Sequence, residues 1–184
     1  MKKIILGLIV AIALFGLVSC GGGKEEKVSG LPDFVLNPPT ADDAFYGVGY
    51  GKQSTFALSK TISMTNARAD IARQIETSIQ AAVISYAQEA GVDDNTQTIS
   101  FAESITREIT DTTLSGAAPI RFEQDDNGGV WVLMSYPKNN MMAAAESAFA
   151  RNEDAAFAEF KAAQAMQMLD AQLANNPTKS EPVK

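Results

Sequence analysis

Cys20 is the only thiol in this chain, and there is no histidine at all. The missing imidazole removes the commonest general base and the commonest metal ligand. A single cysteine leaves no partner for an internal disulfide. Serines and threonines are abundant, but none has a histidine to activate it. Ser59 and Lys60 are adjacent, so on a helix they would point to different sides. Gly47-x-Gly49-x-Gly51 precedes a helical pattern and invites a phosphate-loop reading. The spacing does not fit: a dinucleotide loop needs a third glycine three residues after the second, and a P-loop needs Gly-Lys-Ser/Thr. Close packing of a strand on a helix is the simpler use of those glycines. Asp42-Asp43 and Asp125-Asp126 are adjacent carboxylates, whereas calcium loops alternate their ligands and close with a glutamate. Both pairs read as solvated turns.

Met141-Met142, Met166 and Met168 carry soft sulfur, which serves a core or an adaptable surface more often than a metal. No metal and no cofactor is expected. Four aromatic residues, Tyr46, Tyr50, Trp131 and Tyr136, could together line a pocket for a small ligand. Trp131, the only tryptophan, lies opposite in phase to Val130 and Val132. It is expected in the core, with an exposed anchor as the other reading.

The formal charge is −7. An acidic chain without a basic stripe repels nucleic-acid phosphate, so no nucleic-acid partner is expected.

Cys20 has a chemistry of its own. Lys2 and Lys3 open the chain, Ile4 to Val18 are apolar apart from Gly7 and Gly16, and Leu17-Val18-Ser19-Cys20 follow. A charged start, an apolar run and a small residue before the cut make a secretory signal, residues 1–19. The run is shorter than the ~20 apolar residues of a comfortable membrane span. Leu17, Val18, Ser19 and Cys20 resemble the bacterial lipobox. That resemblance implies cleavage before Cys20 and acylation of its thiol, palmitate being one such chain. Two or more chains hold a protein stably on a bilayer. Gly21 after the cysteine resembles lipoproteins destined for the outer membrane. Lys24-Glu25-Glu26 is similar to a short surface-export tag, although a solvated tether explains it as simply.

The elements that would position these residues follow from composition and period. Residues 20–30 are a tether of glycines and charges. The prolines between Leu31 and Pro39 forbid a regular helix, and Phe34 and Leu36 could pin this extended arm. Phe45 to Gly51 is a strand with Tyr46, Val48 and Tyr50 on one face and glycines on the other. Ser54 or Thr55 caps a long helix. Its stripe runs through Ala57, Met64, Ala67, Ile71, Ile75, Ile79, Val83 and Tyr86, and Gly91 ends it. Arg68, Asp70, Arg73 and Glu76 fall off that stripe. Val92 to Thr98 reads as a turn. Phe101, Ala102, Ile105, Ile109 and Leu114 suggest a second helix, with helix and strand both open for 108–114. Ala118 to Gln124 and Val130 to Tyr136 are strands joined by an Asn127-Gly128 hairpin. Met141 to about Leu173 is a final, bent helix carrying Phe149, Phe157 and Phe160, and 177–184 is a tail. The fold class is α+β: one domain over 31–176 in the order β-α-α-β-β-α, with a small antiparallel sheet on long helices.

Pro32-Asp33-Phe34, then Phe45-Tyr46-Gly47-Val48-Gly49, then Ala67-Arg68-Ala69-Asp70-Ile71-Ala72, and finally the hairpin from Ile120 to Tyr136 resemble the LPP-twenty family of bacterial outer-membrane lipoproteins. The same module is similar to the N-terminal domain of the flagellar outer-membrane assembly protein T. The likeness covers about two-thirds of the chain. Phe34 stands where members often carry tryptophan. The resemblance implies an envelope lipoprotein with no known catalytic residues. The expected function is therefore a non-catalytic structural or assembly module. It would meet the membrane through acyl chains on Cys20 and meet other envelope proteins through its domain. A surface binding module for a glycan, lipid or other small ligand is the alternative.

Overall fold

The computed structural model describes residues 30–92, 95–113, 116–156 and 160–175. The signal segment, Leu17 to Cys20, Leu114, Phe157 and the 177–184 tail lie outside the described residues.

The folded part is α+β, as its patterning implies. In chain order it comprises α1 (Asp33–Leu36), β1 (Ala44–Gly51), α2 (Phe56–Glu89), α3 (Asn95–Thr113), β2 (Ala118–Gln124), β3 (Val130–Pro137), α4 (Lys138–Asn152), a 3-10 turn (Glu153–Ala155) and α5 (Ala162–Asn175). The three strands form one antiparallel sheet in the order β1-β3-β2.

Helix α2 holds the domain together. Thr55 caps it, its hydroxyl accepting from the Leu58 amide at 3.3 Å. Gly91, at φ 72°, ends it, and the Val92 amide reaches back to the Ala87 carbonyl at 2.9 Å. That pair of features is a glycine-terminated C-cap. Its 34 residues span roughly 50 Å at ~1.5 Å per residue. The first half lies under the sheet. The second half, through Ile75, Ile79, Val83 and Tyr86, is buried against α3 and α5.

The glycine face of β1 rests on α2 with a repeating fit. A Cβ on Gly51 would strike the Ser59 carbonyl oxygen, one on Gly49 that of Ser63, and one on Gly47 that of Ala67. Two strand residues advance ~6.7 Å and four helix residues ~6.0 Å. The two repeats therefore stay matched over three successive contacts. The groove is made by Ser59, Ser63 and Ala67, all buried. Ala57 is exposed and Met64 only half-buried, so the expected stripe is corrected at its start: Ser59 and Ser63, not Ala57 and Met64, face the sheet. Serine is as small as alanine here, and the Ser63 hydroxyl is absorbed by the Lys60 carbonyl at 2.9 Å.

Three further expectations change. The prolines do not exclude helix: Pro32, as N-cap, and Pro38 frame a single turn, α1. Proline tolerates a helix start because the missing amide would be unpaired there anyway. Helix α3 begins at Asn95, inside the stretch expected to turn, and continues as helix to Thr113. Phe101, Ala102, Ile105 and Ile109 are all buried on it. The final helix is broken rather than bent. α4 packs on α3 and the sheet while α5 packs on α2, and one straight rod could not do both. Phe160, just before α5, wedges against Tyr86, Phe101 and Phe149 with ring centroids 4.7–5.8 Å apart.

Candidate interaction surfaces

The face of the sheet turned away from α2 carries Tyr46, Val48 and Tyr50 from β1, Trp131 and Leu133 from β3, and Arg121 and Glu123 from β2. The register places Tyr50 opposite Trp131, and Trp131 opposite Glu123. Trp131 is half-buried on this outer face rather than in the core. Its phase, opposite to the buried Val130 and Val132, dictates that side because strand residues alternate. Tyr136 has the other parity. It pairs with Phe45, is 3% exposed and belongs to the core. Three of the four candidate aromatic residues therefore share a surface, and Tyr136 does not join them.

That surface is already partly occupied. The arm crosses it, with Phe34 4% exposed and the Arg121 guanidinium 5.7 Å from its ring centroid. Leu31 and Pro32 line a small hollow beside Trp131, Glu123 and Asp125. Tyr50 stacks on Trp131 at 4.5 Å, its ring lies over Gly129, and its hydroxyl donates to Asp125 at 2.9 Å. Asp125 also accepts from the amides of Asn127 (2.9 Å) and Gly129 (2.7 Å), with Gly128 at φ 80°. This carboxylate is the organiser of the hairpin turn. The Tyr50 hydrogen bond first, then the backbone amides and nearby Lys52, hold it below the usual aspartate range. The same hydrogen bond raises the Tyr50 hydroxyl above the usual tyrosine value.

The two edges of the sheet differ. Along β1, three side chains of α2 spaced four apart take the place of a neighbouring strand. Asn66 donates to the Tyr50 carbonyl (2.8 Å), Asp70 accepts from the Val48 amide (3.2 Å), and Gln74 donates to the Tyr46 carbonyl (2.7 Å). Sequence inspection set Asp70 aside as off the apolar stripe. The i, i+4, i+8 spacing of Asn66, Asp70 and Gln74 was the available signal. Since Tyr46, Val48 and Tyr50 bond outward, Leu133 opposite Val48 must direct its backbone groups to β2. Arg121 and Glu123 then bond to β3, and Phe122 and Gln124 present N–H and C=O outward. No described residue hydrogen-bonds to that outer edge of β2, and Ile120 on it is 54% exposed.

Two more arrangements bear on chemistry. Ser135-x-x-Lys138 has the spacing of serine–lysine hydrolases, contrary to the expectation that the chain holds no Ser-x-x-Lys. The strand ends between the two residues: Ser135 lies on the outer face opposite Tyr46, while Lys138 opens α4. No hydrogen bond joins them. Lys138 instead lines a cleft of about 420 Å³ with Asp42, Asn139, Met142, Asp170, Leu173 and Ala174. Met141 is buried in the core, and Met166 and Met168 pack against it. Among the described residues no three His, Cys, Asp or Glu side chains gather as metal ligands, and no helix is long and apolar enough to cross a membrane.

No protein-family model, no curated protein and no solved structure matches the chain.

Proposed function

We propose that this chain is a lipid-anchored lipoprotein of the bacterial outer membrane, held by acyl chains on Cys20, whose domain is a non-catalytic docking module for other envelope proteins. The signal Leu17-Val18-Ser19-Cys20 supports the anchor. The open edge of β2 carries the docking part. A strand edge with unpaired backbone groups is a template for another chain; three side chains seal β1, whereas no described residue hydrogen-bonds to the outer edge of β2. The residues that resemble the LPP-twenty family support the same reading: β1, the start of α2 and the β2–β3 hairpin form one packed unit.

Two experiments test the two parts. In bacteria, Cys20→Ser is expected to accumulate precursor or release the protein from membranes. An unmodified Cys20 in the mature wild-type protein, seen by mass spectrometry, overturns the anchor. For docking, a photo-crosslinking residue at Gln124 is expected to give protein adducts, and one at Thr65 on the exposed side of α2 is not. Equal adducts at both positions, or none at Gln124, overturn the edge as the docking surface. The alternative, a surface module for a small ligand, no longer rests on the four aromatic residues. The cleft at Lys138 favours it instead.

A further inference from the structure

Lys138 stands in an unusual electrostatic position. It is 7% exposed, yet no carboxylate pairs with it and its ammonium makes no hydrogen bond among the described residues. Its ammonium lies 5.7 Å from the centroid of the Phe45 ring. Buried charges are ordinarily paired. Lys138 is also the first residue of α4, so its charge sits at the positive end of a 15-residue helix. Pro137, as N-cap, offers no side-chain acceptor. The Lys138 amide is taken by the Asp43 carbonyl at 2.8 Å. The amides of Asn139 and Asn140, in the first turn, have no acceptor within the helix. A lysine without a paired carboxylate and the start of α4 thus both lie on the cleft. Together they favour an anion in direct contact with Lys138 and the first turn of α4.

The rest of the lining narrows that anion. Asp42 and Asp170 are exposed carboxylates on the same cleft, and neither is ion-paired among the described residues. They disfavour a free dianion such as phosphate, and they would welcome a positive group in the same cleft. Met142, Leu173 and Ala174 supply apolar wall in the same cleft. The volume of about 420 Å³ lies in the ordinary range for a small-ligand site.

We propose that this cleft binds a small zwitterion of amino-acid or dipeptide size. The ligand carboxylate lies on Lys138 and the first turn of α4, its ammonium faces Asp42 and Asp170, and its apolar body rests on Met142 and Leu173. The site is separate from the β2 edge and does not depend on docking there.

Full-length protein in detergent is titrated calorimetrically with L-leucine, leucyl-leucine, acetate and leucinamide. Saturable binding of L-leucine or leucyl-leucine is expected, with acetate (no ammonium) and leucinamide (no carboxylate) each weaker by about tenfold or more, the effect of one lost charge-assisted contact. Lys138→Met keeps the apolar stem and is expected to lose the carboxylate contact. Asp170→Asn, on the exposed rim, cannot unfold the core and is expected to weaken the zwitterion about tenfold while leaving acetate unchanged. No saturable response to either zwitterion overturns the proposal. So does acetate binding as tightly as leucine, which marks a plain anion pocket. So does unchanged leucine binding in folded Lys138→Met, which makes that lysine a packing stem only.

Discussion

The Tyr50 hydroxyl and the Asp125 carboxylate meet at 2.9 Å across 75 residues of chain, joining the edge strand β1 to the turn between β2 and β3. The contact places an aromatic ring over Gly129 and so explains why that position is glycine: any Cβ would lie on the tyrosine hydroxyl.

This pair sets a titration test. Asp125 is depressed in the folded state, so its contribution is present above the ordinary aspartate value of ~3.9 and is lost as pH falls through the lower folded value. Tyr50 is raised, so its contribution is present below ~10 and is lost as pH rises through the higher folded value. By NMR, the Tyr50 ring is expected to titrate above an ordinary tyrosine. Asp125→Asn should remove the charge-based part of that rise. An unshifted Tyr50 in wild type would mean that the contact does not form in solution.

Gly49→Val is expected to destabilise the domain by about 1–3 kcal/mol or more, the usual cost of overpacking. The added atoms would meet the Ser63 carbonyl and the Ala67 amide, which are helix backbone and cannot swing away. Gly30→Val is the control, since a Cβ there meets nothing within 4 Å. Denaturant melts of the two variants give the answer. Equal midpoints would show that β1 does not sit on α2.

The side chains that seal β1 are expected to act as a guard against self-association. Replacing Asn66, Asp70 and Gln74 with alanine removes three bonds that contribute roughly 0.5–1.5 kcal/mol each. It also leaves the Tyr46–Tyr50 edge open to another strand. Light scattering should show dimers or larger species that wild type lacks. A strictly monomeric triple variant would show that burial beside α2 guards the edge by itself.

Glu108 ties α3 to α4 through Arg151, whose Nε donates to it at 2.9 Å, and through the Asn152 amide at 3.0 Å. The Arg151 hydrogen bond is the main cause of its lowered pKa. Its contribution is therefore present above the ordinary glutamate value of ~4.3 and fades as pH falls through the lower folded value. Arg151→Leu should cost no more than ~1 kcal/mol at neutral pH, as for other exposed pairs. That difference should shrink below pH ~4. A gap between the two melting curves that is constant with pH would assign the loss to packing instead.

How far the residues announced this structure varied with the kind of signal. The alternation Gly47, Gly49, Gly51 required a close neighbour, and α2 is that neighbour, because a bare strand face has few other uses. The phase of Trp131 against Val130 and Val132 already contained its position on the outer face. Its being the only tryptophan pulled the expectation towards the core. Ser59 and Ser63 were passed over because an apolar stripe selects alanine and methionine, whereas the contact selects for size. The edge ladder of Asn66, Asp70 and Gln74 is not apolar at all. It becomes visible only once β1 is known to be an edge strand. The break after Asn152 depends on which helix each half packs against, and no local turn chemistry marks it. Nothing in the residues around Lys138 marks it as buried, and only the packing shows a lysine 7% exposed with no paired carboxylate among the described residues.

Because α2 lies under the sheet with one half and inside the helical layer with the other, these two parts of the molecule share a single continuous rod. Amide protons from Ser63 to Val83 are therefore expected to be released from protection by the same opening event, which native-state hydrogen exchange checks. The arm, whose buried side chains include Phe34, is expected to exchange independently and faster.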